Sequence, residues 1–194
     1  MSLRRLLIAT ITGGMFCFAS SLDSRADVSV PNIFSDHMVL QRGQKNKVWG
    51  RANPGEEVTV SIDDQSLTTS ADGEGNWQVT LNPVSAAGPH QLEIESDSSQ
   101  VTIEDVLVGE VWICSGQSNM EWSVRYSNDA DLVIAGANHP QIRMINFPNV
   151  GSQEPIWSHD DAAWMVCSPD TVEQFSAVGY FFGRQLHQTL EVPI

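Results

Sequence analysis

Ser118 stands where the sequence stops being greasy and turns polar. Upstream lie Val106-Leu107-Val108 and Val111-Trp112-Ile113-Cys114, apolar and rich in β-branched residues, which predict a buried strand. Ser115-Gly116-Gln117-Ser118-Asn119 follows, five small or polar residues in a row. A strand that breaks off into glycine and hydroxyl residues delivers a polar group to the carboxyl edge of a sheet, where open α/β sheets hold their sites. A serine hydroxyl is protonated and weakly nucleophilic alone. It becomes a nucleophile when a base takes its proton and N–H donors receive the oxyanion. The competing reading is that Ser118 caps the start of a helix. Metal chemistry has less support, since Cys17, Cys114 and Cys167 show no C-x-x-C spacing and no H-x-x-x-H occurs.

The longer run Gly109-Glu110-Val111-Trp112-Ile113-Cys114-Ser115-Gly116-Gln117-Ser118-Asn119-Met120-Glu121-Trp122 resembles the first sequence block of the sialate O-acetylesterases, a branch of the SGNH hydrolases. Asn32-Ile33-Phe34-Ser35-Asp36-His37-Met38-Val39-Leu40-Gln41 and Phe175-Ser176-Ala177-Val178-Gly179-Tyr180-Phe181-Phe182 are similar to two further segments of that family. The resemblance implies that Ser118 is the nucleophile and that its backbone N–H gives one oxyanion contact. Gly116, Gln117 and Asn119 then shape the loop. It also implies a catalytic D-x-x-H block and Gly and Asn oxyanion donors further along. None is found in this sequence: the residues three before His90, His139, His159 and His187 are Ala87, Gly136, Ile156 and Arg184. These four histidines are read as surface or packing residues.

The elements that must position Ser118 begin after a leader. Arg4-Arg5, the apolar run from Leu6 to Ala19 and the small residues Ser24 and Ala26 describe a secretory signal peptide over residues 1–26, cleaved before Asp27 and too short for a stable membrane span. The expectation is an exported protein, periplasmic or extracellular, with no membrane attachment after cleavage. The formal charge is −14 for the 194 residues. Without the leader, 7 basic and 23 acidic residues remain, giving −16. So acidic a chain repels phosphate backbones and is not expected to bind nucleic acid. Cys114 and Cys167 are left, and either a disulfide or two separate thiols fits an exported protein. Cys114, in an apolar strand, packs well as a small buried thiol.

Residues 27–105 read as an antiparallel β-sandwich. Strands are predicted at Val28–Val30, Met38–Gln41, Val48–Gly50, Val58–Ile62, Trp77–Leu81, Gln91–Glu95 and Val101–Ile103, with Asn53-Pro54-Gly55, Asp63-Asp64 and Asp72-Gly73-Glu74-Gly75-Asn76 as turns. Trp49 and Trp77 could stack on sugar rings, but in alternating strands a Trp more often fills the core.

Residues 106–194 read as the start of an α/β/α domain, flavodoxin-like by the SGNH resemblance and left incomplete. A short helix is predicted over 129–137, a strand over Gln141–Phe147 and a loop over 148–163. A single helix starts at Pro169 or Asp170, with Thr171 and Gln174 forming a capping box, and its buried face comprises Phe175, Val178, Gly179, Phe182, Leu186 and Leu190. Two strands and one packed helix cannot cover both faces of a parallel sheet, so a downstream chain completing the domain is expected.

The resemblance implies a serine carbohydrate esterase that removes O-acetyl groups from sialic acids or related sugars without metal or organic cofactor. This chain is expected to be weakly active or inactive alone. The alternatives are a non-catalytic carbohydrate-binding or interaction module, or a gene fragment.

Overall fold

A computed structural model describes residues 27–85, 87–159 and 161–194. The signal peptide expected over 1–26 lies outside them. Strands are β1 (Val39–Gln41), β2 (Asn46–Arg51), β3 (Glu57–Ile62), β4 (Gln65–Ser70), β5 (Asn76–Leu81), β6 (His90–Ser96) and β7 (Gln100–Gly109). Later come β8 (His139–Ile145), β9 (Trp164–Cys167) and the helices α1 (Ala130–Ala135), α2 (Pro169–Val172) and α3 (Ala177–Leu190).

Alternation builds the first region. In β3 and β5 every second residue is buried, and Val58, Val60, Ile62, Trp77, Val79 and Leu81 all point inward. One sheet has the order β1-β7-β6-β3-β4, and β2 pairs with β5 in a second. Their apolar faces meet in one core that also takes in Leu92, Ile94, Ile103 and Val106. Two details depart from the sequence reading. β1 runs parallel to β7, so the region is not wholly antiparallel. β4 was not predicted, because Leu67 is its single large apolar residue. Ser61–Ser66 and Thr59–Thr68 hydroxyl pairs, each at 3.0 Å, line its exposed side. Trp77 is 3% exposed and lies in the core, and Trp49, half-buried, packs against that core and edge-on against Phe34, so both serve packing.

β7 carries the chain towards Ser118. Its pairing with β6 slips between Ile103 and Val106, and Asp105 at the slip has φ 54°. This is a β-bulge, which bends a strand and raises its twist. Beyond it Val106–Gly109 is buried, and Leu107–Gly109 pairs with β1. The bulge also aims the Asp105 carboxylate at two partners. Arg143 of β8 donates to it at 2.6 and 3.2 Å, and His37 Nδ1 lies 2.7 Å away. The Arg143 side chain is 5% exposed, so this pair ties β8 firmly to the bend of β7. Arg143 first, then His37, holds the Asp105 carboxyl below the usual carboxylate range.

Three expectations for residues 106–194 are corrected. The predicted buried strand Val111–Cys114 does not form: β7 ends at Gly109, and Trp112 and Ile113 are 55% and 93% exposed. A strand needs a ladder partner on at least one side, and these residues make no backbone ladder among the described residues. The sheet here is the antiparallel pair β8–β9 rather than a parallel one, although Ile194 bonds Gln141 and Arg143 with parallel-strand geometry. The single predicted helix is two, α2 and α3, separated at 173–176. Thr171 serves as the third residue of a capping box opened by Ser168, whose N–H it accepts at 2.9 Å. The buried face of α3 is Ala177, Gly179, Tyr180 and Gly183, while Val178, Phe182 and Leu190 are exposed. Small residues let the helix lie close to its neighbours, and a Cβ on Gly183 would meet Ile194 at 3.5 Å. Cys114 and Cys167 are free thiols, not a disulfide.

Candidate active site

The exit of β7 is clamped. Glu110 accepts from Gln41 Nε2 at 2.9 Å and from Arg42 Nε at 2.7 Å, and its N–H reaches the Pro193 carbonyl at 2.9 Å. Those donors, Gln41 foremost, lower the Glu110 carboxyl. Gln41 Oε1 also accepts the Val111 N–H at 2.8 Å. Gly109 passes so close to Pro193 that a Cβ there would fall 2.0 Å from its carbonyl oxygen. The expected buried thiol is half right: the residue Cys114 is exposed, yet a Cβ on Gly179 would lie 3.4 Å from its sulfur. Burial pushes that thiol up.

Gly116 then turns the chain with φ 148°, in open space, so its conformation and not crowding calls for glycine. Gln117 is extended at φ −105° and ψ 179°, and Ser118–Glu121 form a 3-10 turn closed by the Met120 N–H donating to the Gln117 carbonyl at 2.8 Å. Gly116, Gln117, Ser118 and Asn119 are all exposed. The N–H groups of Ser118 and Asn119, in the first turn, have no backbone acceptor among the described residues. Ser118 thus does open a helical turn, but its hydroxyl makes no capping bond.

The turn is anchored downstream as well. A second 3-10 turn, Val124–Tyr126, follows directly. The Ala177 N–H donates to the Trp122 carbonyl at 2.7 Å, Val124 to Phe175 at 2.9 Å and Arg125 to Glu173 at 3.1 Å. Ser176 caps α3 through the Gly179 N–H, and its hydroxyl also meets Met120 Sδ at 3.5 Å. Ser118 is therefore held between a clamped strand end and the start of α3.

Ser118, Glu121, Trp122 and Tyr126 line one shallow, open hollow. Asn149 donates to the Glu121 carboxylate from the facing loop. Trp122 and Tyr126 were not singled out from the sequence, because alternation and helical periodicity say nothing about a ring in a tight turn. The block that carries Ser118 also carries Trp122, and that adjacency was the available signal.

No histidine reaches Ser118. His37 Nδ1 faces Asp105, His90 Nδ1 lies 2.8 Å from Asp63, and His187 Nδ1 lies 2.7 Å from the Val192 carbonyl. His139 stacks obliquely near Tyr180 and His159 near Phe147. Burial, then the nearby Arg184 and His187, lowers His139. The Ser118 hydroxyl has no hydrogen-bond partner among the described residues, and these contain no cluster of three metal-ligating side chains.

No family model matches the sequence. The chain is 30% identical to a sialate O-acetylesterase of Rattus norvegicus over 97% of its length, and 28% identical to one of Homo sapiens over 82%. It spans 37% and 34% of those two proteins. The crystal structure of a carbohydrate acetylesterase from Xanthomonas citri superposes with a TM-score of 0.83 at 36% identity, covering 86% of this chain and 38% of that one.

Proposed function

We propose that this chain, a homologue of the sialate O-acetylesterases, contributes the nucleophile of an exported serine esterase acting on O-acetylated sugars. The observation that carries the reading is an exposed Ser118 at the head of an anchored turn, with free N–H groups beside it. In this reading the Ser118 oxygen attacks the acetyl carbonyl and its proton passes to a base. The ester C–O bond breaks and the sugar oxygen leaves with that proton. Water then releases acetate from the acetyl-serine. The Ser118 N–H is one oxyanion donor, while Gly116, Gln117 and Asn119 set its direction. The finer architecture, an N-terminal β-sandwich joined to an SGNH-type α/β domain, belongs to the same proposal. So does export, which rests on Arg4-Arg5 and the apolar run behind them.

Proton removal needs a base, and none of the described histidines is hydrogen-bonded to the Ser118 hydroxyl. In a serine protease, losing the histidine costs about 2 × 10⁶ in kcat, and the chain alone is expected to turn over very slowly. The test is acetate release from an O-acetylated sialoside by this chain and by an active form extended past Ile194, each beside its Ser118→Ala variant, with the extended form deciding the assignment. Release that falls to background in the variant supports the assignment, and release that is unchanged removes it. The same lack of a base at Ser118 favours a second reading, a non-catalytic module that binds acetylated sugar. Sugar binding without any Ser118-dependent release would select it.

A further inference from the structure

We propose that the first region positions the nucleophile from a distance: it braces the loop over 146–159, and Asn149 on that loop holds the Ser118 turn through Glu121. This rests on Ser118 as the nucleophile and deepens that reading.

The loop leaves β8 after Ile145 and is exposed from Asn146 to Ile156. Its own bonds there are short-range: the Val150 N–H donates to the Pro148 carbonyl at 3.0 Å, and the Ser152 hydroxyl to the Glu154 carbonyl at 2.6 Å. A segment with so few internal bonds takes its order from where it is tied down. Three ties follow it, and all three run to the first region. The Arg51 guanidinium of β2 lies over the Trp157 ring, 4.3 Å from its centroid. The Asn32 N–H donates to the Ser158 hydroxyl at 3.0 Å. The Trp164 indole N–H, at the start of β9, donates to the Ile33 carbonyl at 2.9 Å, and Trp164 packs against the core of the first region. Phe147 and His159, at the two ends of the loop, meet edge to face at 5.9 Å, so fixing the far end also fixes the near one.

One side chain passes this order to the turn. Asn149 donates to the Glu121 carboxylate. In a 3-10 turn side chains three apart eclipse. Ser118 and Glu121, first and last in theirs, share a face and line the same hollow. The grip on Glu121 therefore sets the rotation of the turn and the direction of the Ser118 hydroxyl. Asn149 is a positioning residue in this scheme, and Trp157 and Arg51 are its anchor.

The test has a structural and a kinetic arm. On this chain, backbone order parameters are measured by NMR. Arg51→Ala and Trp157→Ala should lower them over 147–156 and over 118–121, to about 0.6 or below, with β3 unchanged. Asn149→Ala should loosen 118–121 and leave 157–159 as they are. On an active form extended past Ile194, Arg51→Ala and Trp157→Ala should lower kcat for acetate release about two- to fivefold with KM unchanged, the range that one cation–π contact at an exposed site carries. The double variant should lose no more than either single one. Arg51→Lys and Trp157→Phe keep a cation over a ring and should restore most of the rate. Thermal midpoints check each fold, and Arg51→Ala, at an exposed side chain, decides the matter if Trp157→Ala does not fold. Unchanged order over 118–121, or an unchanged kcat in a Ser118-dependent enzyme, overturns the brace. A rise in KM alone overturns it too, since the loop would then act by touching substrate. Failure of the esterase reading looks different: the order parameters would respond as stated while acetate release showed no dependence on Ser118.

Discussion

Residues 28–109 and residues 110–194 use the same apolar residue types with opposite results. In the first stretch the large hydrophobics close on themselves, with Val58, Val60, Leu92 and Ile94 at 0% exposure. In the second, Trp112, Ile113, Trp122, Tyr126 and Phe182 lie open, and of the large hydrophobics exposed among the described residues only Ile33 precedes residue 110. Trp112 and Phe182 shield one another only in part, edge to face at 5.1 Å. The first stretch closes one large core, while the second has a smaller core of its own around Val124, Ile142, Met144, Val172 and Tyr180 and leaves more of its large apolar side chains open. The candidate site lies in the second, on the side where apolar surface is not spent on packing.

The widest separation between the two comes from deleting side chains. Leu92→Ala should cost about 2–5 kcal/mol, because the five-stranded sheet cannot collapse around the gap. Ile113→Ala, at a residue 93% exposed, should stay within about 0.5 kcal/mol. Urea denaturation reads both, and a large loss for Ile113→Ala would mean that the second stretch buries this residue against a partner in solution.

The tie between the two stretches is tested by Asp105→Ala. It takes the carboxylate from the Arg143 guanidinium, whose side chain is 5% exposed, and leaves it only backbone carbonyls such as those of Pro140 and His37. Breaking a fully buried pair costs about 3–5 kcal/mol, and the partial exposure of Asp105 reduces this to about 2–3. If β8 is held mainly through this pair, amide exchange in β8 should rise more than in β3.

The smallest effect concerns acid. Hydrogen bonds from Ser98, then from Ser96 and Asn53, lower the Glu56 carboxyl to about 2. A depressed carboxylate pKa adds stability that is present above its unfolded value and lost as pH falls through the folded one. The contribution should therefore fade between about pH 5 and 2. It is screened at this solvated site, and Glu56→Gln should flatten that part of the stability profile by a modest amount. Asp105, also depressed, should give the same sign for the tie between the stretches.

What was legible in the sequence follows the reach of each signal. β3 and β5 were legible because period-two burial is written locally in Val58-Thr59-Val60 and Trp77-Gln78-Val79. β4 was not, since an edge strand of Ser and Thr reads as loop. Val111–Cys114 was misread because composition reports how apolar a segment is, and only a neighbouring strand decides whether it pairs. Ser118 was visible as a polar break after an apolar run, and the turn places it in the open. Trp122 and Tyr126 reach the hollow beside Ser118 through two successive 3-10 turns, which no local pattern encodes. The Asp105 cluster joins residues 68 and 38 positions apart and left no trace in spacing.

The parallel rungs between β1 and β7 also set an order of events. Val39 pairs with Leu107 only after the intervening chain has been gathered, and such a closure is slow compared with forming the β3–β4 hairpin. The Ser118 turn hangs from the far end of β7, past its bend. Its placement must await that closure, so during refolding the nucleophile should be among the last groups to find its position, arriving after the core beneath it is dry.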